Sequence, residues 1–326
     1  MIYRKYLEPE YGEVDKYVKH EYDFGQPEGI SRKAFRVKSN YETLTDLTNM
    51  IRGIYCYDEL MSIEIDDYRV NRDNLDVLLR VYHPQTKGPH PIMVFYHGGG
   101  WQMNNLDLYD YVPRYFARYG EIVVVAVDYR LAPEYKFPGG FEDCYMALTW
   151  AVEHAEMIDG SPDSVTVCGD SAGGNYAAGI CVAARDRKGP KIHKQILLYP
   201  ATSFNFDAPL DSALRYGGGE YFINIDPYSD ISQMGYLADP EKDKLNPYVS
   251  PMENNDFTGI PPCCFISPEC DPILDHALMY AAKLEDNGVP VEFHLYKGML
   301  HAFINRTYQK TFEAMDDIIA AVPKLK

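Results

Sequence analysis

Hydrophobic residues follow two rhythms along this chain. Between residues 61 and 82 apolar and polar positions alternate, first over 61–68 and again over 75–82. A period of two marks strands with one buried face, and Asn71-Arg72-Asp73-Asn74 between them reads as a hairpin connection. From residue 91 the pattern changes. Residues 91–96 form a continuous apolar run, and further short strands read at 122–129, 165–168, 196–199, 263–267 and 291–296. Apolar runs of this kind belong to strands covered on both faces of a parallel sheet.

Helices fall between those strands. Helical patterns cover 106–119, 141–157, the Ala-rich 176–187, 275–287 and 307–322. In 141–157 the side chains of Phe141, Tyr145, Leu148 and Val152 share one face. Asp159-Gly160-Ser161-Pro162 closes that helix, and Lys188-Gly189-Pro190 closes the next. A hairpin followed by repeated strand–helix units predicts an α/β protein: an open, mostly parallel sheet with helices on both faces.

Two stretches break the rhythm. Residues 1–55 are polar and helix-like, interrupted by Gly25, Pro27 and Gly29, and read as a segment that packs over something else. Residues 202–260 hold Gly217-Gly218-Gly219, several prolines and many aromatics, too long a stretch for an ordinary connection. The core is then 56–201 together with 261–326, with 202–260 inserted. No repeat or low-complexity segment appears.

Composition narrows the class. The chain has 326 residues, enough for one large α/β domain or two small ones, with 46% hydrophobic and 24% charged residues. Its net charge of −17, from 31 basic and 48 acidic residues, argues against nucleic acid or an anionic membrane as partner. A small neutral or cationic molecule fits better. The longest apolar run, 122–127, is too short to span a bilayer, and Met1 to Glu8 contains no apolar signal-peptide core. The seven cysteines lack metal spacing and read as reduced, buried thiols, so the expected compartment is the cytoplasm and no metal is expected. Tyrosine is over-represented at 28 residues, many of them outside the core strands, such as Tyr3, Tyr6, Tyr11, Tyr17 and Tyr22. They are either compositional drift or an aromatic lining for a pocket or interface.

Chemistry gathers where strands end. Gly169-Asp170-Ser171-Ala172-Gly173-Gly174 joins the 165–168 strand to the Ala-rich helix. A serine between glycines on a strand-to-helix turn is a nucleophile elbow: the turn is so tight that a side chain at a flanking position would strike the backbone. In open α/β sheets ligands bind outside the carboxyl ends of the strands, so partners for Ser171 should also follow strands. Asp271 follows 263–267 and His301 follows 291–296. An imidazole takes the serine proton, and a buried carboxylate holds that imidazole in the right tautomer.

Competitors exist for both roles. Among later histidines, His276 lies near a helix start and His294 in mid-strand, so His301 is preferred. Glu269 and Asp275 compete with Asp271. Asp275 would serve as an N-cap and Glu269 as an outer acceptor, and Pro272 stiffens the loop after Asp271. His97-Gly98-Gly99-Gly100, after the 91–96 strand, supplies backbone donors for a developing oxyanion. The expected set is the N–H groups of Gly98, Gly99 and Ala172, with His97 orienting the loop rather than acting as base.

Together these motifs resemble the hormone-sensitive-lipase family of α/β-hydrolases, the bacterial family IV esterases. The resemblance rests on His97-Gly-Gly-Gly-Trp101, Asp128-Tyr-Arg-Leu-Ala-Pro-Glu134 with Phe137-Pro138, the elbow through Asn175, Asp271-Pro-Ile-Leu-Asp275, and His301-Ala-Phe303. It implies an eight-stranded α/β-hydrolase sheet under a helical cap made from 1–55 and 202–260. It also implies hydrolysis of short-chain carboxylic esters without a cofactor, and a structural role for 128–134. A homodimer is a possible assembly. Candidate substrate contacts are Trp101 and, in the insertion, Tyr216, Tyr221 and Phe222, with Tyr228 beside them. Rival readings on the same scaffold are an amidase or arylformamidase, a deacetylase of acetylated carbohydrates gripped by the Tyr-rich cap, and a receptor without catalysis.

Overall fold

The alternating segments form the expected hairpin. Strands β1 (Glu64–Arg72) and β2 (Leu75–His83) pair antiparallel, with Arg72 opposite Leu75. Asp73 and Asn74 make the two-residue turn at φ 52° and 60°. Both are left-handed, as a tight hairpin of this twist requires and as Asp and Asn tolerate. The structure is a computed structural model, and it describes residues 32–219, 221, 223 and 235–325.

Helices α1 (Arg32–Ile51) and α2 (Tyr57–Met61) precede the hairpin. After it come β3 (His90–Tyr96), α3 (Tyr111–Gly120), β4 (Val123–Asp128), α4 (Gly139–Glu153), β5 (Gly160–Asp170), α5 (Ala172–Asp186) and β6 (Lys194–Leu198). Two short helices, α6 (Asp211–Tyr216) and α7 (Pro240–Asp243), lie within 202–260. The chain then adds β7 (Cys263–Cys270), α8 (Leu274–Asp286), β8 (Val291–Leu300) and α9 (Gln309–Ala321).

The sheet has eight strands in the order β1-β2-β4-β3-β5-β6-β7-β8. β2 runs antiparallel to both of its neighbours, and the other pairings are parallel. β4 and β5 flank β3 on opposite sides, so the chain changes winding direction there. That switch opens a crevice at the carboxyl ends of β3 and β5, where the His97 loop and Ser171 emerge.

Each face of the sheet has its own core. Ile92, Val94 and Tyr96 of β3 pack with Leu148 of α4, Ile180 of α5 and Tyr280 of α8. Met93 and Phe95, one step out of phase, pack with Leu60 of α2, Phe116 of α3 and Met315 of α9. Burying side chains of this size contributes about 1.5–3 kcal/mol each, so a strand buried on both faces is apolar throughout. Adjacent Cys263 and Cys264 point into opposite cores, and all seven cysteines are buried and free.

Several boundaries differ from the sequence reading. β5 begins at Gly160, where the sequence suggests a turn. His90 and Pro91 pair with Gly160 and Ser161, and a register shift before Ile92 absorbs the prolines. The helix expected over 106–119 is split into a 3-10 turn, Asp107–Tyr109, and α3. β8 runs on to Leu300, which pairs with Cys270.

Tyrosines are core residues more than lining: Tyr82, Tyr96, Tyr111, Tyr129, Tyr176, Tyr199, Tyr236 and Tyr280 are all fully buried. Some of their hydroxyls reach backbone oxygens: Tyr129 donates to His97 O at 2.6 Å and Tyr96 to Cys144 O at 3.3 Å. The N-terminal tyrosines singled out above, with Phe222 and Tyr228, lie outside the described residues.

Candidate active site

The elbow is built as its steric argument demands. Ser171 sits at φ 53°, ψ −114°, a strained conformation for a residue with a side chain. A Cβ on Gly173 would lie 1.9 Å from Tyr96 O, and one on Gly169 2.4 Å from Gly173 O. The Ser171 N–H donates to Leu198 O at 2.8 Å, which ties the turn to the end of β6.

Three strand ends converge on Ser171. Its Oγ lies 2.9 Å from His301 Nε2. On the other side of the ring, Nδ1–H donates to Asp271 Oδ2 at 2.7 Å. Asp271 is fully buried, and its Oδ1 accepts the Ile273 N–H at 2.8 Å. Both carboxylate oxygens are therefore held. Tyr199 packs its ring 4.8 Å from the imidazole.

The competing residues have other partners. His276 Nδ1 accepts the Thr202 N–H at 3.2 Å, and burial pushes its pKa down to about 3. His294 sits between Glu292 and Asp317. Asp275 lies inside the first turn of α8 rather than at its N-cap, and it accepts the Ser212 N–H in the first turn of α6 at 2.8 Å, which fastens α6 to α8. Glu269 accepts the Gly298 N–H at 2.8 Å and so braces β8.

The glycine loop carries one correction. Gly98 is not available as an oxyanion donor, because its N–H already donates to Asp170 Oδ1 at 2.7 Å, with Tyr109 Oη at 3.2 Å. In contrast, the N–H groups of Gly99 and Gly100 in this loop, and of Ala172 at the start of α5, make no such bond among the described residues. Gly99 and Gly100 take φ 129° and 57°, which turns their amides away from the strand. Ala172 opens α5, where helical N–H groups lack internal acceptors. His97 keeps its loop role: Nδ1–H donates to Gly98 O at 2.8 Å, and the ring stacks 4.2 Å from Tyr129. Burial pushes its pKa down to about 4, so the ring stays neutral.

Asp170 is the residue the sequence reading left without a role. Besides the Gly98 N–H, it accepts the Tyr109 hydroxyl at 2.9 Å and the Tyr199 hydroxyl at 3.3 Å, both on Oδ2. Burial raises its pKa to about 6, against the pull of those donors. The only signal for it in the sequence is a carboxylate at the buried end of a strand.

Comparison with known proteins gives the family. A family model described as "alpha/beta hydrolase fold" matches residues 93–305. The chain belongs to the α/β-hydrolase family. Carboxylesterase NlhH of Mycobacterium tuberculosis is 37% identical over 258 residues, covering 76% of this chain and 77% of that protein. Carboxylic ester hydrolase LipN of the same organism is 36% identical over 248 residues, 74% of this chain and 65% of its own length. A Pyrobaculum calidifontis esterase structure superposes with a TM-score of 0.79 at 33% identity, covering 90% of this chain and 92% of that one. These relatives fit the hormone-sensitive-lipase resemblance drawn from the motifs.

Residues of the 202–260 stretch pack beside two of these strand ends. Tyr216 and Tyr221 meet edge to face at 5.0 Å, and with Ile223 they pack against Cys270 and Leu300. Those two residues immediately precede Asp271 and His301. Trp101 does not present a free face: it is 3% exposed, stacks 4.8 Å from Tyr236, and donates Nε1–H to Asn175 Oδ1 at 3.3 Å. Its ring supports the glycine loop from within the core, so the substrate contact expected of it is withdrawn. Helix α1 reaches the same region through Arg36, which donates to Gln102 O at 2.5 Å and to Ala132 O and Glu134 Oε2 at 2.9 Å each.

Among the described residues, the one grouping of metal-ligating side chains is Cys264, Glu292 and His294, which contains none of the residues at this site. No described helix is long and apolar enough to cross a membrane.

Proposed function

We propose that this chain is a serine carboxylesterase that cleaves short-chain carboxylic esters through an acyl-enzyme. What supports the reading most is the single line from Asp271 Oδ2 through His301 to Ser171 Oγ, at 2.7 and 2.9 Å. The names of the relatives above point the same way.

In this reading Ser171 Oγ attacks the ester carbonyl as its proton passes to His301 Nε2. The Asp271 carboxylate stabilises the imidazolium and fixes its orientation. Negative charge on the carbonyl oxygen meets the N–H groups of Gly99, Gly100 and Ala172. One such donor is worth about 3 kcal/mol at the transition state. His301 then protonates the leaving alkoxide, and an alcohol departs. Water, deprotonated by the same nitrogen, releases the acid and restores Ser171. A cap drawn from 1–55 and 202–260, of which residues 1–31, 220, 222 and 224–234 lie outside the described residues, shapes the acyl pocket, and Tyr216 and Tyr221 pack beside the His301 loop.

Turnover of p-nitrophenyl butyrate, with trapping of Ser171 by an organophosphate seen by mass spectrometry, tests this. Ser171→Ala should lower turnover by about six powers of ten. An active Ser171→Ala variant, or phosphorylation at another residue, would refute it.

A further inference from the structure

A second cluster of reactive side chains lies away from the serine, on the face of the sheet covered by α9. Cys264 of β7 stands opposite Glu292 of β8 in register, and His294 follows two residues on, facing the same way. Their ligating atoms all lie within 4.8 Å of one another. His294 Nε2 is 2.9 Å from Glu292 Oε1, and its Nδ1 is 3.2 Å from Asp317 Oδ2 of α9. Lys194 lies 3.6 Å from the other Glu292 oxygen, and the Tyr296 hydroxyl donates to Asp317.

Two features are hard to account for by packing alone. A neutral imidazole has one N–H to donate, yet both ring nitrogens of His294 face carboxylates. One contact then sets lone pair against lone pair unless a proton or a cation lies between. The donors are also chemically mixed: a thiol sulfur, an imidazole nitrogen and a carboxylate oxygen. Zinc takes that combination, whereas calcium and magnesium take oxygen alone.

We propose that Cys264, Glu292 and His294 form a binding site for one zinc ion, with water as fourth ligand. The ion sits between His294 Nε2 and Glu292 Oε1, and Nδ1–H stays on Asp317. A ligating histidine usually donates its second N–H to a carboxylate in this way. Tetrahedral zinc with bonds of about 2.0–2.3 Å needs its ligands roughly 3.5 Å apart, so His294 Nε2 and Glu292 Oε1, at 2.9 Å, must open slightly, and any donors lying farther apart, within the 4.8 Å limit, must close. Glu292 is half exposed and His294 a quarter exposed, which leaves them free to do so. On binding, the Cys264 thiol loses its proton to solvent as the zinc–sulfur bond forms. Burial pushes that thiol up to about 12, and the metal must overcome this. The ion would clamp the edge strand β8, which carries His301 at its end, to β7.

Cobalt and zinc titrations of the intact, chelator-treated protein test the site. Cobalt(II) should bind once per chain and give a thiolate charge-transfer band, which zinc then bleaches. Losing an outer-sphere partner of a metal typically costs about 10–100-fold in affinity. His294→Gln, at the surface, should therefore weaken zinc at least tenfold, and Cys264→Ser should abolish the band. Zinc should raise the melting temperature of the unaltered protein and raise it less in either variant. Melting without metal checks that each variant is folded, and if Cys264→Ser fails that check, His294→Gln decides alone. Absence of saturable one-to-one binding, or equal zinc affinity in His294→Gln, overturns the proposal.

Discussion

Replacing Asp170 by asparagine keeps the shape of a buried side chain and removes its charge. The carboxylate titrates at about 6 in the fold, against an ordinary 3.8, with burial as the dominant cause. At about 1.4 kcal/mol for each tenfold change in proton affinity, that gap is worth about 3 kcal/mol. The sign follows from linkage. Between about pH 4 and pH 6 the folded protein holds a proton on Asp170 that the unfolded chain has lost. Stability contributed by this group is therefore full below about pH 4 and falls as pH rises through 6. Asparagine has no such proton. Guanidinium unfolding of both proteins at about pH 4.5 and pH 7.5 should show Asp170→Asn gaining on the unaltered protein by about 2–3 kcal/mol across that interval. Asp128, also raised to about 6 by burial, is present in both proteins and cancels in the difference. Activity should move the other way. The charge-assisted bond to the Gly98 N–H becomes a neutral one, so the glycine loop is held less firmly and kcat falls about tenfold. A stability difference that does not change with pH would refute the argument.

Other perturbations separate steric from polar causes. Gly173→Ala drives a methyl group into the Tyr96 carbonyl, where only backbone could yield, and should destabilise by about 3 kcal/mol or prevent folding. Gly100→Ala meets nothing within 4 Å and bears only its φ of 57°, so it should lose about 1 kcal/mol by thermal melting. Arg36→Ala removes the fork that holds α1 against residues 102, 132 and 134, at a cost of about 2 kcal/mol. Limited proteolysis should then cut near α1 faster, and Arg36→Lys should not restore protection because an ammonium lacks the planar fork. Equal cleavage in all three proteins would show that α1 is held by other contacts.

Some of this chain was legible before any coordinates. The period-two hairpin, the apolar parallel strands and the helices between them are local patterns set by burial on one face or two. The elbow glycines are legible too, because their requirement is steric and lies within five residues. The strand-end rule also picked out Ser171, Asp271 and His301, since each follows its strand directly. Tertiary contacts decided the rest. Whether Gly98 or Gly100 offers its N–H depends on Asp170, 72 residues away in sequence, which has already engaged the first. Trp101 looks like a pocket wall beside a glycine loop, yet Tyr236 and Asn175 from distant segments draw it into the core. The start of β5 depends on pairing with His90 and Pro91 rather than on its own polar residues. Sequence fixes which groups a short segment can present. Which of them remain unpaired once the chain closes is settled by partners far along the chain, and chemistry uses the unpaired ones.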